Sequence, residues 1–176
     1  MKNKTLLDKK ALERTINRIT HEIIEKNGGC ASLSLIGIRT RGVHVANRIK
    51  AKILEVEGIS LPVGVLDITM YRDDIFKLKT PVLKKTEIPF DLNDKTIILV
   101  DDVMHTGRTI RAAIDAIMDL GRPNKIQLAV LVDRGQRELP IHPDYAGVFY
   151  TADPGEEVLV RLREIDKKDE VVLVRS

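Results

Sequence analysis

An apolar run near the middle of the chain ends abruptly in two adjacent carboxylates. Residues 97–100 are all apolar, and Asp101 and Asp102 follow them directly. The next residues, 103–109, contribute a glycine, an arginine and two threonine hydroxyl groups. Paired carboxylates repel a phosphate, but they suit vicinal sugar hydroxyls or a metal ion bound to those hydroxyls. The spacing therefore indicates a ligand that carries both a phosphate and a sugar.

The elements around this motif would aim several donors at one point. Residues 97–100 are typical of a strand that is buried on both faces of a parallel sheet, and residues 110–120 have the apolar spacing of a helix. Thr106 and Thr109 would add hydroxyl donors to the backbone amides of the loop, and Gly107 permits close approach of a phosphate. An aspartate that only caps the helix would need neither a second acid nor this loop. We therefore favour an anion-binding loop.

The remaining segments predict strands that alternate with helices. That order is typical of an α/β domain in which helices cover both faces of a mostly parallel sheet. With 176 residues, the chain is expected to form one domain, residues 1–176. Predicted helices cover residues 8–27, with Asp8 as the N-cap, and 43–56; predicted strands cover residues 33–38, 62–69, 126–132 and 171–174, and residues 133–165 are mixed.

A glycine-bracketed loop, residues 37–42, would reach the same edge of the sheet as the acidic pair. Ligands bind beyond the carboxyl ends of the strands in such sheets. The loop places Thr40 and Arg41 at the start of a predicted helix, where a hydroxyl group, backbone amides and a fixed positive charge suit a pyrophosphate. A surface turn with solvated arginines is the alternative, and the neighbouring acidic motif argues against it.

A long stretch without periodicity, residues 72–94, precedes the acidic motif. A connection of this length is unusual in a compact domain, so we expect a mobile functional lid or a hairpin. Arg72 at its start could neutralise a departing polyanion. For Lys84 and Lys85 we favour the simpler interpretation, a solvated surface.

The composition excludes several classes of protein. Apolar residues make up 43% and charged residues 31%, as in globular domains, and no apolar run is long enough to span a membrane. The N-terminal residues do not resemble an export signal, and the lone Cys30 cannot form an intrachain disulfide, so we expect a cytoplasmic protein. The net charge of +3 permits anionic ligands, whereas an aromatic content of 3% argues against base-stacking platforms for single strands.

Residues 97–109 resemble the signature of the type I phosphoribosyltransferases, which use phosphoribosyl pyrophosphate (PRPP). The resemblance implies a mostly parallel, twisted sheet flanked by helices, with a flexible lid loop at residues 72–94 and a small hood with the C-terminal segment at residues 133–176. It implies that the two acids hold the ribose hydroxyls, that the loop wraps the 5′-phosphate and that residues 37–42 hold the pyrophosphate. The residues implied to bind PRPP or UMP are Thr40, Arg41, Asp101, Asp102, Val103, Met104, His105, Thr106, Gly107, Arg108 and Thr109, with Asp101, Asp102, Arg41 and Arg72 as the catalytic residues.

A second resemblance concerns the segment that recognises the base. Residues 130–141, together with 66–74 and 18–25, resemble a family of bifunctional pyrimidine operon attenuation regulators and uracil phosphoribosyltransferases. It implies that Val132, Asp133, Arg134 and Gln136 bind the base.

The chain departs from these family patterns at two places, one in the predicted phosphate loop and one near the base. A leucine and an aromatic residue usually stand in place of Met104 and His105, and a histidine in place of Gln136. A glutamine can still hydrogen-bond a pyrimidine edge, so uracil remains the expected acceptor.

The same family resemblance implies an RNA-binding face on the first helix. Arg18 and His21 match the family's arginine and histidine there. The chain departs from the pattern at Asn17, where a threonine is usual, and at His142 and Val148, where basic residues are usual. Fewer fixed charges weaken contacts to RNA phosphates, so RNA binding is less secure than catalysis.

Together these resemblances imply transfer of ribose phosphate from PRPP to uracil, giving UMP and pyrophosphate. Mg²⁺ is expected to bind through PRPP and pyrophosphate, with no direct protein ligands. A role as a UMP- or UTP-responsive regulator that binds pyrimidine operon leader RNA would use the same pocket. A PRPP-dependent transferase for a purine base, without a regulatory role, is the alternative. We further expect a homodimer or a higher homo-oligomer.

Overall fold

The computed structural model of the protein describes residues 4–75 and 83–175. Residues 76–82, part of the expected lid, lie outside the described residues. In chain order the elements are β1 (Lys4–Leu7), α1 (Lys9–Lys26), β2 (Leu33–Ile38), α2 (Arg41–Glu57), β3 (Val63–Leu66), a 3₁₀ turn (Thr69–Tyr71), β4 (Thr96–Met104), α3 (Arg108–Leu120), β5 (Lys125–Asp133), β6 (Tyr145–Phe149), β7 (Glu156–Arg161), α4 (Arg163–Asp166) and β8 (Glu170–Arg175).

Five parallel strands form the central sheet in the order β3–β2–β4–β5–β6. The chain runs from β2 outward to β3, then returns to the other side of β2 as β4 and continues outward through β5 and β6. The strand order therefore reverses between β2 and β4, and open α/β sheets bind ligands in the crevice at such a point. The predicted α/β fold with a parallel sheet is confirmed.

Helices cover both faces of this sheet because its strands are apolar on both sides. All six residues of β2 are buried. Helices α1 and α2 pack on one face through residues such as Leu12 and Ile49, and α3 packs on the other face through residues such as Ile110 and Ile117. The predicted N-cap of α1 is confirmed, since the Ala11 amide donates to the Asp8 carboxylate at 2.7 Å. Across the described residues, every helix is too short or too polar to cross a membrane.

The chain termini build a second, antiparallel sheet of three strands in the order β1–β8–β7. Within the mixed segment 133–165, β6 joins the central sheet, whereas β7 and α4 belong with the C-terminal strand β8. The N-terminal strand β1 was not among the predicted elements, because four residues offer too little pattern to distinguish a strand from a loop. We refer to β1, β7, α4 and β8 as the hood.

The predicted strand over residues 62–69 is shorter than expected. It ends at Leu66, and the chain then turns. The Asp67 carboxylate accepts hydrogen bonds from the amide of Thr69 at 3.1 Å and from its hydroxyl group at 2.6 Å. This side chain-to-backbone turn competes with the sheet ladder and ends the strand.

Candidate active site

The acidic pair lies near the carboxyl end of β4, the central strand of the sheet. Asp101 is 6% exposed, and Asp102 is half-buried. The amide of Asp102 donates to Oδ1 of Asp101 at 3.0 Å. The sheet therefore holds the two carboxyl groups side by side at the crevice between β2 and β4.

Burial raises the pKa values of both carboxyl groups of this pair. It raises the pKa of Asp101 well above the ordinary value, and the neighbouring charge of Asp102 raises it further. Burial also raises the pKa of Asp102, although a hydrogen bond with Asp101 and the positive charge of Arg41 oppose that change. A ligand that supplies hydroxyl donors or positive charge would stabilise the ionised pair. Perturbed carboxyl groups in a crevice are typical of a functional site.

The loop after β4 turns sharply into α3. Gly107 has a φ of 93°, which a residue with a side chain rarely adopts, and it forms the N-cap of the helix. The Thr106 hydroxyl accepts from the Arg108 amide at 3.3 Å. The first amides of α3 precede any intrahelical acceptor, so they face the loop. Thr109 lies in the first turn of α3, beside these amides. Binding of an anion at this helix start stays a prediction.

The loop after β2 comes very close to β4 because it contains glycine. A Cβ atom at Gly42 would lie 2.4 Å from the carbonyl oxygen of Val100 and 3.3 Å from Oδ1 of Asp101. The absence of a side chain therefore lets the start of α2 pack directly beside the acidic pair. Thr40 is exposed at the N-cap of α2, and Arg41 is the first residue of the helix.

Arg41 is bound to the hood. Its Nη2 and Nε atoms donate to the Asp166 carboxylate at 2.9 and 3.3 Å. Its charge nevertheless reaches Asp102. Asp166 was not predicted as a site residue, because the sequence gives no sign that a C-terminal turn folds back onto this loop.

The returning side of the expected lid is anchored to the sheet edge. Glu87 pairs in antiparallel fashion with Val65 on the edge strand β3. The amide of Lys84 donates to the Asp67 carboxylate at 2.6 Å, and Arg39 donates two hydrogen bonds to the carbonyl oxygen of Lys85. The described part of the returning limb is thus fixed beside residues 37–42. Its Lys84 side chain is exposed and lies 3.5 Å from the Thr40 hydroxyl group.

At the other limb, Arg72 is exposed and pairs with Asp74 through two hydrogen bonds of 2.8 and 2.7 Å. Its neighbour Asp73 pairs with Arg108 at the start of α3, and Arg108 also pairs with Glu138. Residues 72–74, the loop after β4 and the segment after β5 are therefore connected by ion pairs. The role of Arg72 toward pyrophosphate stays a prediction.

The segment after β5 is organised by Arg137. Its guanidinium group donates to the Asp133 carboxylate at 2.6 Å, to the carbonyl oxygen of His105 at 2.8 Å and to that of Ile141 at 2.9 Å. Arg137 was not predicted as a site residue, although it stands inside the base-recognition string. These hydrogen bonds hold the segment after β5 against the loop after β4.

The predicted base-binding residues lie together at the carboxyl end of β5, with different exposures. Val132 is fully buried in the core, so only its backbone can face a ligand. The Asp133 carboxylate accepts hydrogen bonds from the guanidinium group of Arg137 and from the backbone amide of Gly135. Arg134 donates to the carbonyl oxygen of Glu156, and Gln136 is exposed.

Two of the residues that depart from the family patterns, His105 and Gln136, contact each other. Nε2 of His105 lies 3.0 Å from Oε1 of Gln136, and Nε2 of Gln136 lies 3.2 Å from the carbonyl oxygen of Ala152. Met104, by contrast, is buried in the core, and Val103 packs against the core on the opposite face. Of these loop residues, His105 is therefore the one whose side chain faces the base segment.

The predicted RNA-binding residues lie on the exposed side of α1. Arg18 donates to the backbone carbonyl oxygens of Ala146 and Gly147 on β6 and pairs with Glu22. Nδ1 of His21 lies 3.3 Å from the carbonyl oxygen of Asn17. Arg18 thus also connects α1 to the sheet, a structural role that the sequence pattern did not indicate.

No group of three or more metal-binding side chains occurs within residues 4–75 and 83–175. The acidic pair offers carboxylate oxygens beside the crevice. That donor set fits Mg²⁺ only if the ligand supplies most of its coordination, as phosphates do for this ion.

Comparison with known proteins identifies relatives of this arrangement. The family model described as the phosphoribosyl transferase domain matches residues 2–160. The chain is 55% identical over 172 residues to the bifunctional protein PyrR of Pelotomaculum thermopropionicum, covering 97% of this chain and 95% of that protein. It is 55% identical over 169 residues to the bifunctional protein PyrR of Clostridioides difficile, covering 96% of each.

Solved structures resemble the fold at lower identity. A hypoxanthine phosphoribosyltransferase from Staphylococcus aureus superposes with a TM-score of 0.73 at 15% identity, covering 98% of this chain and 92% of that one. A purine phosphoribosyltransferase from Pyrococcus horikoshii superposes with a TM-score of 0.61 at 26% identity, covering 82% and 85%. The chain belongs to the phosphoribosyltransferase family and, within that family, to the PyrR group.

Proposed function

We propose that the protein transfers the ribose phosphate of PRPP to N1 of uracil, giving UMP and pyrophosphate. The observation that carries this proposal is the acidic pair at the strand-order reversal, set between a phosphate-binding loop and the loop after β2. The near full-length similarity to PyrR proteins supports uracil as the acceptor. The purine transferases resemble the chain at 15% and 26% identity, so the purine alternative has less support.

In this reaction the sugar acquires positive charge while pyrophosphate leaves C1. Asp101 and Asp102 would accept hydrogen bonds from the ribose hydroxyls and stabilise that charge. The loop at Gly107 would hold the 5′-phosphate and position C1 against the base. The reaction needs no covalent nucleophile, because positioning and electrostatic stabilisation act on both the sugar and the leaving group.

Mg²⁺ would enter with PRPP and neutralise part of the charge of the pyrophosphate. Asp101 and Asp102 are the protein carboxylates beside that position. Arg41 and Arg72 are the cations that we assign to the pyrophosphate. Both are paired with carboxylates of the protein, Asp166 and Asp74, so binding of PRPP would have to share or exchange these partners.

A panel of bases tests the proposal directly. Uracil, cytosine, hypoxanthine, guanine and adenine are each incubated with PRPP and Mg²⁺, and nucleotide and pyrophosphate are quantified. We expect UMP and pyrophosphate in equal amounts from uracil. Conversion of a purine without conversion of uracil would establish the alternative acceptor instead.

We also propose that the protein regulates transcription by binding pyrimidine operon leader RNA in response to UMP or UTP. Similarity to proteins named bifunctional supports a second role beside transfer. Arg18 and His21 on the exposed side of α1 are the assigned RNA contacts, and such a role would place the protein in the cytoplasm. A gel-shift titration with leader RNA tests it: a shift that strengthens with UMP supports regulation, and no nucleotide-dependent shift would refute it.

We propose, finally, that the protein forms a homodimer or a higher homo-oligomer. Met70, Met118 and Leu120 are more than half exposed on the 3₁₀ turn and α3, which contact each other through a hydrogen bond from Tyr71 to Asp119. Exposed apolar side chains that lie close together are typical of interaction surfaces. Sedimentation velocity should give a species larger than the 19.8 kDa chain; a monomer at micromolar concentration would contradict this.

A further inference from the structure

The contact between His105 and Gln136 fixes how the glutamine amide is oriented. Nε2 of Gln136 lies 3.2 Å from the carbonyl oxygen of Ala152, which can only accept a hydrogen bond. The amide nitrogen must therefore face Ala152, and its oxygen faces His105 at 3.0 Å. Because an amide oxygen only accepts, Nε2 of His105 is the donor of this hydrogen bond.

The amide is held from two separate loops. His105 belongs to the loop after β4, and Ala152 follows β6. The backbone of Gln136 has a φ of 55°, which non-glycine residues rarely adopt, and it follows Gly135 at 73°. Gln136 is nevertheless exposed, so a ligand at the strand ends can reach it. One N–H group and one oxygen lone pair of the amide remain for that ligand.

An exposed aromatic ring lies beside Gly135, the residue that precedes Gln136. Phe149 is 68% exposed at the end of β6, and a Cβ atom at Gly135 would lie 3.5 Å from its Cζ. A planar ring next to a fixed donor and acceptor is what a nucleobase requires, since stacking binds its face and the amide binds its edge.

We propose that His105, through Gln136, makes the base site select a keto pyrimidine over an amino pyrimidine. The proposal rests on the proposed function. The edge of uracil offers an N–H donor beside a carbonyl acceptor, whereas cytosine reverses the two. A glutamine amide that rotates freely pairs with either edge. An amide fixed by His105 and Ala152 pairs with only one of them, so Gln136 determines specificity and His105 is its positioning residue.

Nucleotide binding tests this without relying on turnover. Calorimetry with UMP and CMP gives the ratio of their dissociation constants for the wild type, His105→Phe, His105→Gln and Gln136→Met. We expect the wild type to prefer UMP at least tenfold. His105→Phe and Gln136→Met should each reduce that ratio about three- to tenfold, in line with one lost hydrogen bond. His105→Gln should restore it, since its amide can donate at the same position.

Two further variants separate selection from general damage. Phe149→Leu should weaken binding of UMP and CMP by the same factor and leave their ratio unchanged, because stacking does not distinguish the two edges. His142→Phe makes the same type of substitution at an exposed position and should change neither constant. Thermal melts of every variant confirm that it folds, and Gln136→Met retains the test if His105→Phe does not.

The results that overturn the inference differ from those that overturn the proposed function. A wild type that binds UMP and CMP equally, or a ratio that His105→Phe and Gln136→Met leave unchanged, would refute the role of the pair while transfer to uracil stands. A wild type that binds neither nucleotide would refute the proposed function itself.

Discussion

Burial of the Asp101 carboxyl group disfavours its ionised form, which the proposed chemistry needs. Its raised pKa means that the folded protein holds this proton more tightly than the unfolded chain does. The free energy of unfolding contributed by this group therefore falls as the pH rises above the unfolded value of about 3.9. The buried carboxylate that would face the ligand therefore lowers the free energy of unfolding at neutral pH.

The variant Asp101→Asn separates these two effects. The asparagine side chain can still accept a hydrogen bond from the backbone amide of Asp102, but it carries no charge that the protein must bury. We expect kcat/KM for UMP formation to fall well over tenfold, because the neutral amide stabilises the sugar charge poorly. We expect the melting temperature at pH 8 to equal or exceed that of the wild type, with a smaller difference at pH 5. Unchanged turnover, or clear destabilisation at pH 8, would contradict this account of Asp101.

At the scale of elements, two arginines on one side of α2 hold the hood turn α4. Arg41 binds Asp166, and Arg48 binds both Glu164 and Asp169. The side chain of Asp169 is only 7% exposed, so removal of Arg48 would leave a poorly solvated charge without its partner. The start of α2 also lines the proposed pyrophosphate loop, and these ion pairs therefore connect the hood with the site.

The variant Arg48→Met should lower the free energy of unfolding by about 1–3 kcal/mol at pH 7, because these pairs are only partly buried. The hydrogen bond from Arg48 lowers the pKa of Glu164. At Asp169 burial acts to raise the pKa, but the hydrogen bonds from Arg48 and from the Arg163 amide, together with the charges of these two arginines, outweigh burial and lower it. Depressed carboxyl pKa values stabilise the fold above the unfolded values of about 4, and this contribution is lost as the pH falls through the folded values. Urea titrations should therefore show the deficit at pH 7 and a smaller one at pH 3.

A matched control lies one turn further along the same helix. Lys52→Met removes the cation of a surface pair with Glu55, whose side chain is 69% exposed. Such a pair contributes less than about 0.5 kcal/mol. Equal losses for Lys52→Met and Arg48→Met would show that the hood is not held in this way.

The sequence predicts helices and strands better than it predicts the contacts between segments that are distant in sequence. β2 spans the predicted residues 33–38, because a strand buried on both faces has an unbroken apolar pattern. The loop at Gly107 could be predicted because a glycine, two threonines and an arginine shortly after two aspartates are typical of an anion-binding loop. The contacts of Arg41 with Asp166 and of Arg137 with His105 could not be predicted, since they join segments that are distant in sequence and set by tertiary packing.

At the scale of the whole molecule, the strand ends beside the acidic pair and the exposed surface of α1 lie in different places. Arg18 connects them, because it binds the backbone of β6, whose end carries Phe149. A nucleotide at the strand ends could therefore alter the α1 surface through β6. This connection is the route by which the proposed RNA face on α1 would respond to a nucleotide.

The exposed His21 is the simplest variant for testing that surface. His21→Ala removes the imidazole ring and its hydrogen-bonding nitrogens. We expect leader RNA to bind several-fold more weakly to the variant in a filter-binding titration, because the ring is an assigned RNA contact. Thermal melts should be unchanged, since the side chain lies on the exposed side of the helix. Equal RNA affinity of wild type and variant would remove His21 from the RNA face.

Binding of PRPP to the wild type and to the Asp101→Asn/Asp102→Asn double variant, measured by calorimetry with and without Mg²⁺, tests the central claim most directly. We predict submillimolar binding by the wild type that strengthens with Mg²⁺, and at least tenfold weaker binding by the variant. No uptake of PRPP or UMP by the folded wild-type protein in the presence of Mg²⁺ would contradict the claim that the acidic pair and its neighbouring loop form a sugar-phosphate site.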